Sequence, residues 1–223
     1  MGGPPIQPPA APPTPPRLPA RLASELDPDI DPDFPDVEEV DVHGVALSFP
    51  DARTLTVVRS KLTACEIDDA DETALDATDS FLVDLDLTAR TVASLTRVVL
   101  VRCRLGGADF GDAKLVDVHF DGCVLDLASM RGARLERVLL GGGRVDGLDL
   151  SGARLTDTTV VGLPLGEVTL EGTRLERVDL TEAQLDDVIE VGTIRGATIS
   201  EAQAMALSVR LARAAGMSIA PRP

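Results

Sequence analysis

Large aromatic rings are almost missing from this 223-residue chain, which has no Trp, no Tyr and only 5 Phe. Sandwiches, closed barrels and nucleotide-binding α/β folds use such rings to fill broad interiors. An aromatic-poor chain rich in Leu, Val and Ala calls for a narrow core of even cross-section. Cysteine is also scarce, at 3 residues, and an odd count does not suit a disulfide framework. The N-terminus has neither a basic n-region nor an apolar h-region, and no apolar run approaches the roughly 18 residues of a membrane span. The expectation is a reduced, cytoplasmic protein with no membrane segment.

The usual marks of chemistry are lacking as well. Only His43 and His119 are available as imidazole ligands, and His119 falls on an outward phase while Cys123 falls on an inward one, so no zinc site is expected. Asp27, Asp29, Asp31, Asp33 and Glu38 fit positions 1, 3, 5, 7 and 12 of a calcium loop. Pro32 stands where that loop needs Gly, and Pro28 intrudes, so calcium binding is not expected. No phosphate cradle, nucleophile elbow or carboxylate pair can be picked out. No catalytic, cofactor-binding or metal residue is therefore assigned, and the expected protein is not an enzyme.

What the chain does have is acidity, proline and repetition. Its net charge is −16. Residues 1–80 hold 17 acidic and 5 basic side chains, against 20 and 16 in residues 81–223. This excess disfavours direct binding to nucleic acid or an anionic membrane. Nine of the 16 prolines lie in residues 1–20. Together with the acidic stretch up to residue 39 they predict a disordered Pro-rich tail.

From Leu95 to Leu185 every fifth residue is apolar, nineteen in succession, and fourteen of these are Leu. The residue two before each is never charged and mostly small, as at Ala113, Cys123 and Ala133. A period of 5 fits neither a helix nor a single strand and marks a stacked array. Ala113-Lys114-Leu115 returns as Ala133-Arg134-Leu135, Ala153-Arg154-Leu155 and Thr173-Arg174-Leu175, at intervals of 20. One turn is then 20 residues with four sides, and residues i and i+20 stack about 4.8 Å apart.

That register predicts a ladder of alternating sign through Arg97, Asp117, Arg137, Asp157 and Arg177, read as a solvated ion-pair ladder. It also predicts a basic column of Lys114, Arg134, Arg154 and Arg174. Gly122, Gly142 and Gly162, with Gly132, Gly152 and Gly172, suit corners that need unusual backbone angles. Cys103 and Cys123 stack inward and read as small core residues rather than a disulfide or metal pair.

This spacing resembles the pentapeptide-repeat proteins, over residues 85–199 and more loosely over 40–67, where the phase is offset by two. The resemblance implies an all-β solenoid, a right-handed quadrilateral β-helix. The expected division is a tail at 1–39, the solenoid at 40–199 with an interrupting loop at 68–80, and a C-terminal capping helix and tail at 200–223. Ser200-Glu201-Ala202-Gln203 is a capping box. It starts a helix expected to lay Ala202, Met205, Ala206 and Val209 over the open end and so shield a sheet edge. Family members that pair through C-terminal ends offer homodimerisation as the alternative.

The expected role is a rigid scaffold for a protein partner that the sequence does not name. The resemblance adds an alternative, a DNA mimic that acts on DNA gyrase. The nearly balanced rod speaks against mimicry, since residues 95–189 carry 16 acidic and 11 basic side chains.

Overall fold

The computed structural model describes residues 10–26, 33, 35–49, 52–69, 73–165, 168–185 and 191–219. Its strands pair in parallel with the next turn of the chain. Arg134 stands beside both Lys114 and Arg154, and Leu135 beside both Leu115 and Leu155. The stack forms a 13-stranded sheet, with Ala46–Phe49 and Glu66–Asp69 as a further pair. The solenoid expected from the 20-residue repeat is therefore the fold.

The interior follows the five-residue rule. Of the nineteen central residues from Leu95 to Leu185, all are buried except Leu175, which is half-buried. Burying each such side chain contributes about 2 kcal/mol. Phe110 and Phe120 meet edge to face inside, with ring centroids 6.3 Å apart. The position two before each central residue is a niche that tolerates a small hydrogen-bond donor. Ser60 Oγ donates to Val58 O at 2.8 Å, Ser80 Oγ to Thr78 O at 2.8 Å and Thr173 Oγ1 to Leu150 O at 2.8 Å.

Corners are turned by residues in the left-handed region. Gly132, Gly152 and Gly172 have φ of 68°, 69° and 67°, as their spacing predicted. At Gly132 a Cβ would lie 2.5 Å from Asp112 Oδ1, so a side chain there is strained and makes the Asp112 carboxylate turn aside.

Three expectations are corrected. Residues 74–80 do not belong to the interrupting loop expected at 68–80, because Ala74–Val83 is a ten-residue strand paired with Thr54–Val58 and with Thr91–Val101. The early phase instead runs on through Leu82, Leu87 and Val92, all buried, and changes only between Val92 and Leu95. There the pairing steps from Leu75↔Val92 to Asp76↔Ser94. Shortening one turn by two residues lets both blocks keep their apolar faces inward.

The second correction concerns the lid. It is two short helices, α1 (Glu201–Ala206) and α2 (Ser208–Ala214). The capping box at Ser200 and Gln203 is present. However, Ala202, Met205, Ala206 and Val209 are exposed, whereas Leu207 is buried and Leu211 partly so. Gln203 Nε2 donates to the carbonyls of Leu180 and Ala183, both at 2.8 Å, and this anchors the Gln203–Leu207–Leu211 edge inward.

Third, the proline-rich stretch expected as a free tail lies along the rod from residue 10 to residue 26. Ala23 adds a parallel bridge to Val40, with its N–H 2.8 Å from Glu39 O.

Candidate functional site

One corner of the solenoid keeps a charged side chain in every turn from Glu39 to Arg177. Glu39, Arg59, Asp79, Arg97, Asp117, Arg137, Asp157 and Arg177 occupy it in successive turns, all with φ between 47° and 57°. Each holds a left-handed conformation that costs a residue with a Cβ about 1 kcal/mol or more. Glycine would avoid that cost, as it does at Gly132, Gly152 and Gly172, so this corner retains its side chains at an energetic penalty.

Those side chains alternate in sign and pair along the rod. Arg97 Nε and Nη2 each lie 2.6 Å from the two oxygens of Asp79. Arg137 grips Asp117 in the same two-pronged way at 2.7 and 2.9 Å, and Arg177 grips Asp157 at 2.7 and 2.8 Å. Arg59 Nε donates to Glu39 Oε1 at 2.9 Å. In every case the arginine reaches back one turn to the acid before it, so the ladder is a set of discrete fork-like clasps. A strict 20-residue step yields five rungs, from Arg97 to Arg177. Asp79 falls outside that step because it sits 18 residues before Arg97, in the shortened turn, and Arg59 and Glu39 fall outside with it.

The carboxylates are well covered. The Asp117 side chain is 7% exposed and that of Asp79 11%, against 28% for Arg137 and 26% for Arg97. Part of that cover is the proline-rich segment. Thr14 N–H donates to Asp117 Oδ1 at 2.8 Å and Arg17 N–H to Asp79 Oδ1 at 2.9 Å. The N–H of Ala11 faces Asp157 and adds a smaller pull on that carboxylate. The Arg137 guanidinium, with smaller help from the Thr14 N–H and hydroxyl, pulls Asp117 down to about 2 against the opposing effect of burial. Asp79 is lowered chiefly by Arg97 and then by the Arg17 N–H, and Asp157 chiefly by Arg177.

The second charged column stands three residues before this corner. Lys114, Arg134, Arg154 and Arg174 stack in register, all exposed. They enter no ion pair among the described residues. The acids nearest Arg134 and Arg174 in sequence, Glu136 and Glu176, are taken by Arg137 and Arg177 instead, and Asp157, nearest to Arg154, is taken by Arg177. Like charges opposite one another on neighbouring strands are destabilising.

The remaining residues singled out from the sequence do not assemble a site. Cys65, Cys103 and Cys123 are buried free thiols. Cys103 Sγ lies 3.3 Å from Leu82 O and Cys123 Sγ 3.6 Å from Leu100 O, in the niche used elsewhere by Ser and Thr. Contact with the Cys123 thiol and burial push Cys103 up, so it stays protonated. Of the calcium-loop residues, Asp27, Asp29 and Asp31 lie outside the described residues. Among the described residues no group of three or more His, Cys, Asp or Glu is placed to hold a metal ion. Nor is any helix among them long and apolar enough to cross a membrane. An apolar void of about 30 Å³ lies inside the later turns, between Leu140, Val160, Leu180 and Ile194, and has no polar group among the residues that line it.

Residues 103–142 match the family model of pentapeptide repeats, in 8 copies. Among solved structures, HetL, a pentapeptide repeat protein involved in heterocyst differentiation regulation from the cyanobacterium Nostoc sp. strain PCC 7120, matches at 18% identity. That match covers 67% of this chain and 75% of HetL, with a TM-score of 0.31. Full-length QnrB1, a plasmid-mediated fluoroquinolone resistance protein, matches at 16% identity over 79% of this chain and 98% of its own, with a TM-score of 0.31. A pentapeptide repeat protein of the Arabidopsis thaliana thylakoid lumen matches at 21% identity over 56% and 84%, with a TM-score of 0.24. No curated protein matches the sequence.

Proposed function

We propose that this chain, a pentapeptide-repeat protein, works without catalysis as a rigid cytoplasmic scaffold whose basic column binds an acidic protein surface. The observation that carries this reading is the register of Lys114, Arg134, Arg154 and Arg174, four exposed cations stacked one turn apart with no acid among the described residues paired to them. Folding gains nothing from that arrangement, and an anionic partner would relieve its repulsion. The parallel stack beneath holds the four charges at a fixed spacing, so little order has to be created on binding.

The test is capture from native lysate by the whole protein and by a variant with Lys114→Glu, Arg134→Glu, Arg154→Glu and Arg174→Glu. Partners retained by the first and lost by the second support the scaffold. The same set retained by both would remove the column from the account. The alternative, DNA mimicry toward gyrase, needs acidic columns along the rod, and this column has the opposite sign. A supercoiling assay with purified gyrase decides that point: inhibition or protection at micromolar protein would favour the mimic over the scaffold.

A further inference from the structure

The proline-rich segment and the acidic rungs share a period. From Ala11 to Arg17 the sequence reads Ala-Pro-Pro-Thr-Pro-Pro-Arg. Proline has no N–H, so Ala11, Thr14 and Arg17 carry the only backbone donors in that stretch. Thr14 and Arg17 donate to Asp117 and Asp79, and Ala11, three residues earlier, faces Asp157, the next acidic rung. Proline locks its own φ and steers the residue before it to extended angles, which makes the stretch a polyproline II helix. Such a helix turns once in three residues and rises about 9.3 Å. Acidic rungs recur every second turn of the solenoid, about 9.6 Å at the usual strand spacing.

The two repeats therefore stay in step, and six residues of the segment span four turns of the rod. Contact follows the same rhythm, for Ala10, Pro13, Pro16 and Pro19 are half-buried while Ala11, Thr14 and Arg17 are exposed. The acceptors are also fixed in advance. Each aspartate is clasped by its own arginine at two oxygens, so the segment meets oriented carboxylates, and little ordering of the receptor is needed.

We propose that the Asp79, Asp117 and Asp157 rungs form a binding site for extended peptides in which Pro-Pro pairs alternate with one N–H-bearing residue, and that residues 11–17 are its intramolecular ligand. The attached segment competes at the millimolar effective concentration typical of a short tether. An external x-Pro-Pro segment gains the site when the attached one lacks its donors. This site is separate from the basic column, and neither reading depends on the other.

The test uses the whole chain with Ala11→Pro, Thr14→Pro and Arg17→Pro. These changes keep the polyproline shape and delete all three donors. The probe is a fluorescein-labelled peptide with the sequence of residues 10–19, and the control peptide carries proline at the three donor positions. Fluorescence anisotropy should show saturable binding of the probe to the variant, at least tenfold tighter than to the unmodified protein, and none of the control. Failure of the folded variant to bind the probe up to about 1 mM would overturn the site. So would equal binding of the control, because the donors would then be irrelevant. Loss of the fold in the variant, read by far-ultraviolet circular dichroism, would overturn it too, because the segment would then be part of the framework rather than a ligand.

Discussion

Two columns of charge rise along the same rod, three residues apart in sequence, and they are built in opposite ways. The corner column from Glu39 to Arg177 alternates in sign, is closed into Arg–Asp clasps and is partly covered by the chain's own N-terminal segment. The column from Lys114 to Arg174 has one sign and stands exposed. Both owe their alignment to the same 20-residue register. What separates them is whether the charge is satisfied within the molecule. The first ties successive turns together and accepts the N–H groups of Thr14 and Arg17, and the second has no ion-pair partner among the described residues.

The comparison is broken most severely from beneath. Leu135 lies between Arg134 of one column and Arg137 of the other and is 1% exposed. Leu135→Asp should cost about 4 kcal/mol or more in urea unfolding, as an unpaired buried charge replaces a core side chain. Arg134→Asp, one residue away, should cost under about 1 kcal/mol. Equal damage from the two would mean that the register is wrong.

Removing one member of each column sharpens the contrast. Asp117→Ala strands Arg137 and the Thr14 N–H and should cost about 2 kcal/mol. Arg154→Ala should stay within about 0.5 kcal/mol of the original. A smaller cost for Asp117→Ala than for Arg154→Ala would reverse the assignment of the two columns.

Acid separates the columns without mutation. Asp117 titrates near 2 in the folded chain, below the usual value of about 3.9. A lowered carboxylate stabilises the fold above its unfolded pKa and loses that contribution as pH falls through the folded value. Up to about 2 kcal/mol should therefore disappear between pH 4 and pH 2. Asp117→Asn should flatten this dependence, whereas Arg154→Ala should leave it unchanged. A pH profile that is the same for all three proteins would remove Asp117 as its source.

A smaller effect than that of Asp117→Ala is expected at a corner that has no charge to keep. Gly152 has φ of 69° and meets only the Gly132 N, at 4.0 Å, so Gly152→Ala should cost about 1 kcal/mol from backbone strain alone. A neutral result in urea unfolding would imply that the corner relaxes.

The repeated core was legible because a period of 5 leaves a signature at every turn, from Leu95 to Leu185. The corner glycines were legible for the same reason. Counting by twenties failed where the chain itself departs from twenty. The two residues dropped between Val92 and Leu95 hid Asp79 from a ladder that began at Arg97. They also made the strand Ala74–Val83 look like a loop. The lid was placed correctly, but its buried edge was not. Composition cannot tell which way a short helix faces, and here Gln203, by bonding to the carbonyls of Leu180 and Ala183, decides it.

The docked segment was the least legible feature. Its signal is the single N–H at every third position from Ala11 to Arg17, and that spacing means nothing until set beside acids two turns apart. Proline abundance alone suggested a free tail.

The central claim is that the alternating corner holds the chain's own proline-rich segment through the backbone N–H groups of Thr14 and Arg17, with that of Ala11 facing the third rung. Amide hydrogen exchange of Ala11, Thr14 and Arg17, followed by NMR on the whole chain, tests it most directly. All three amides should exchange more slowly than in the free peptide, and Asp79→Ala, Asp117→Ala and Asp157→Ala should each release the matching amide. Exchange of all three at the free-peptide rate would contradict the account.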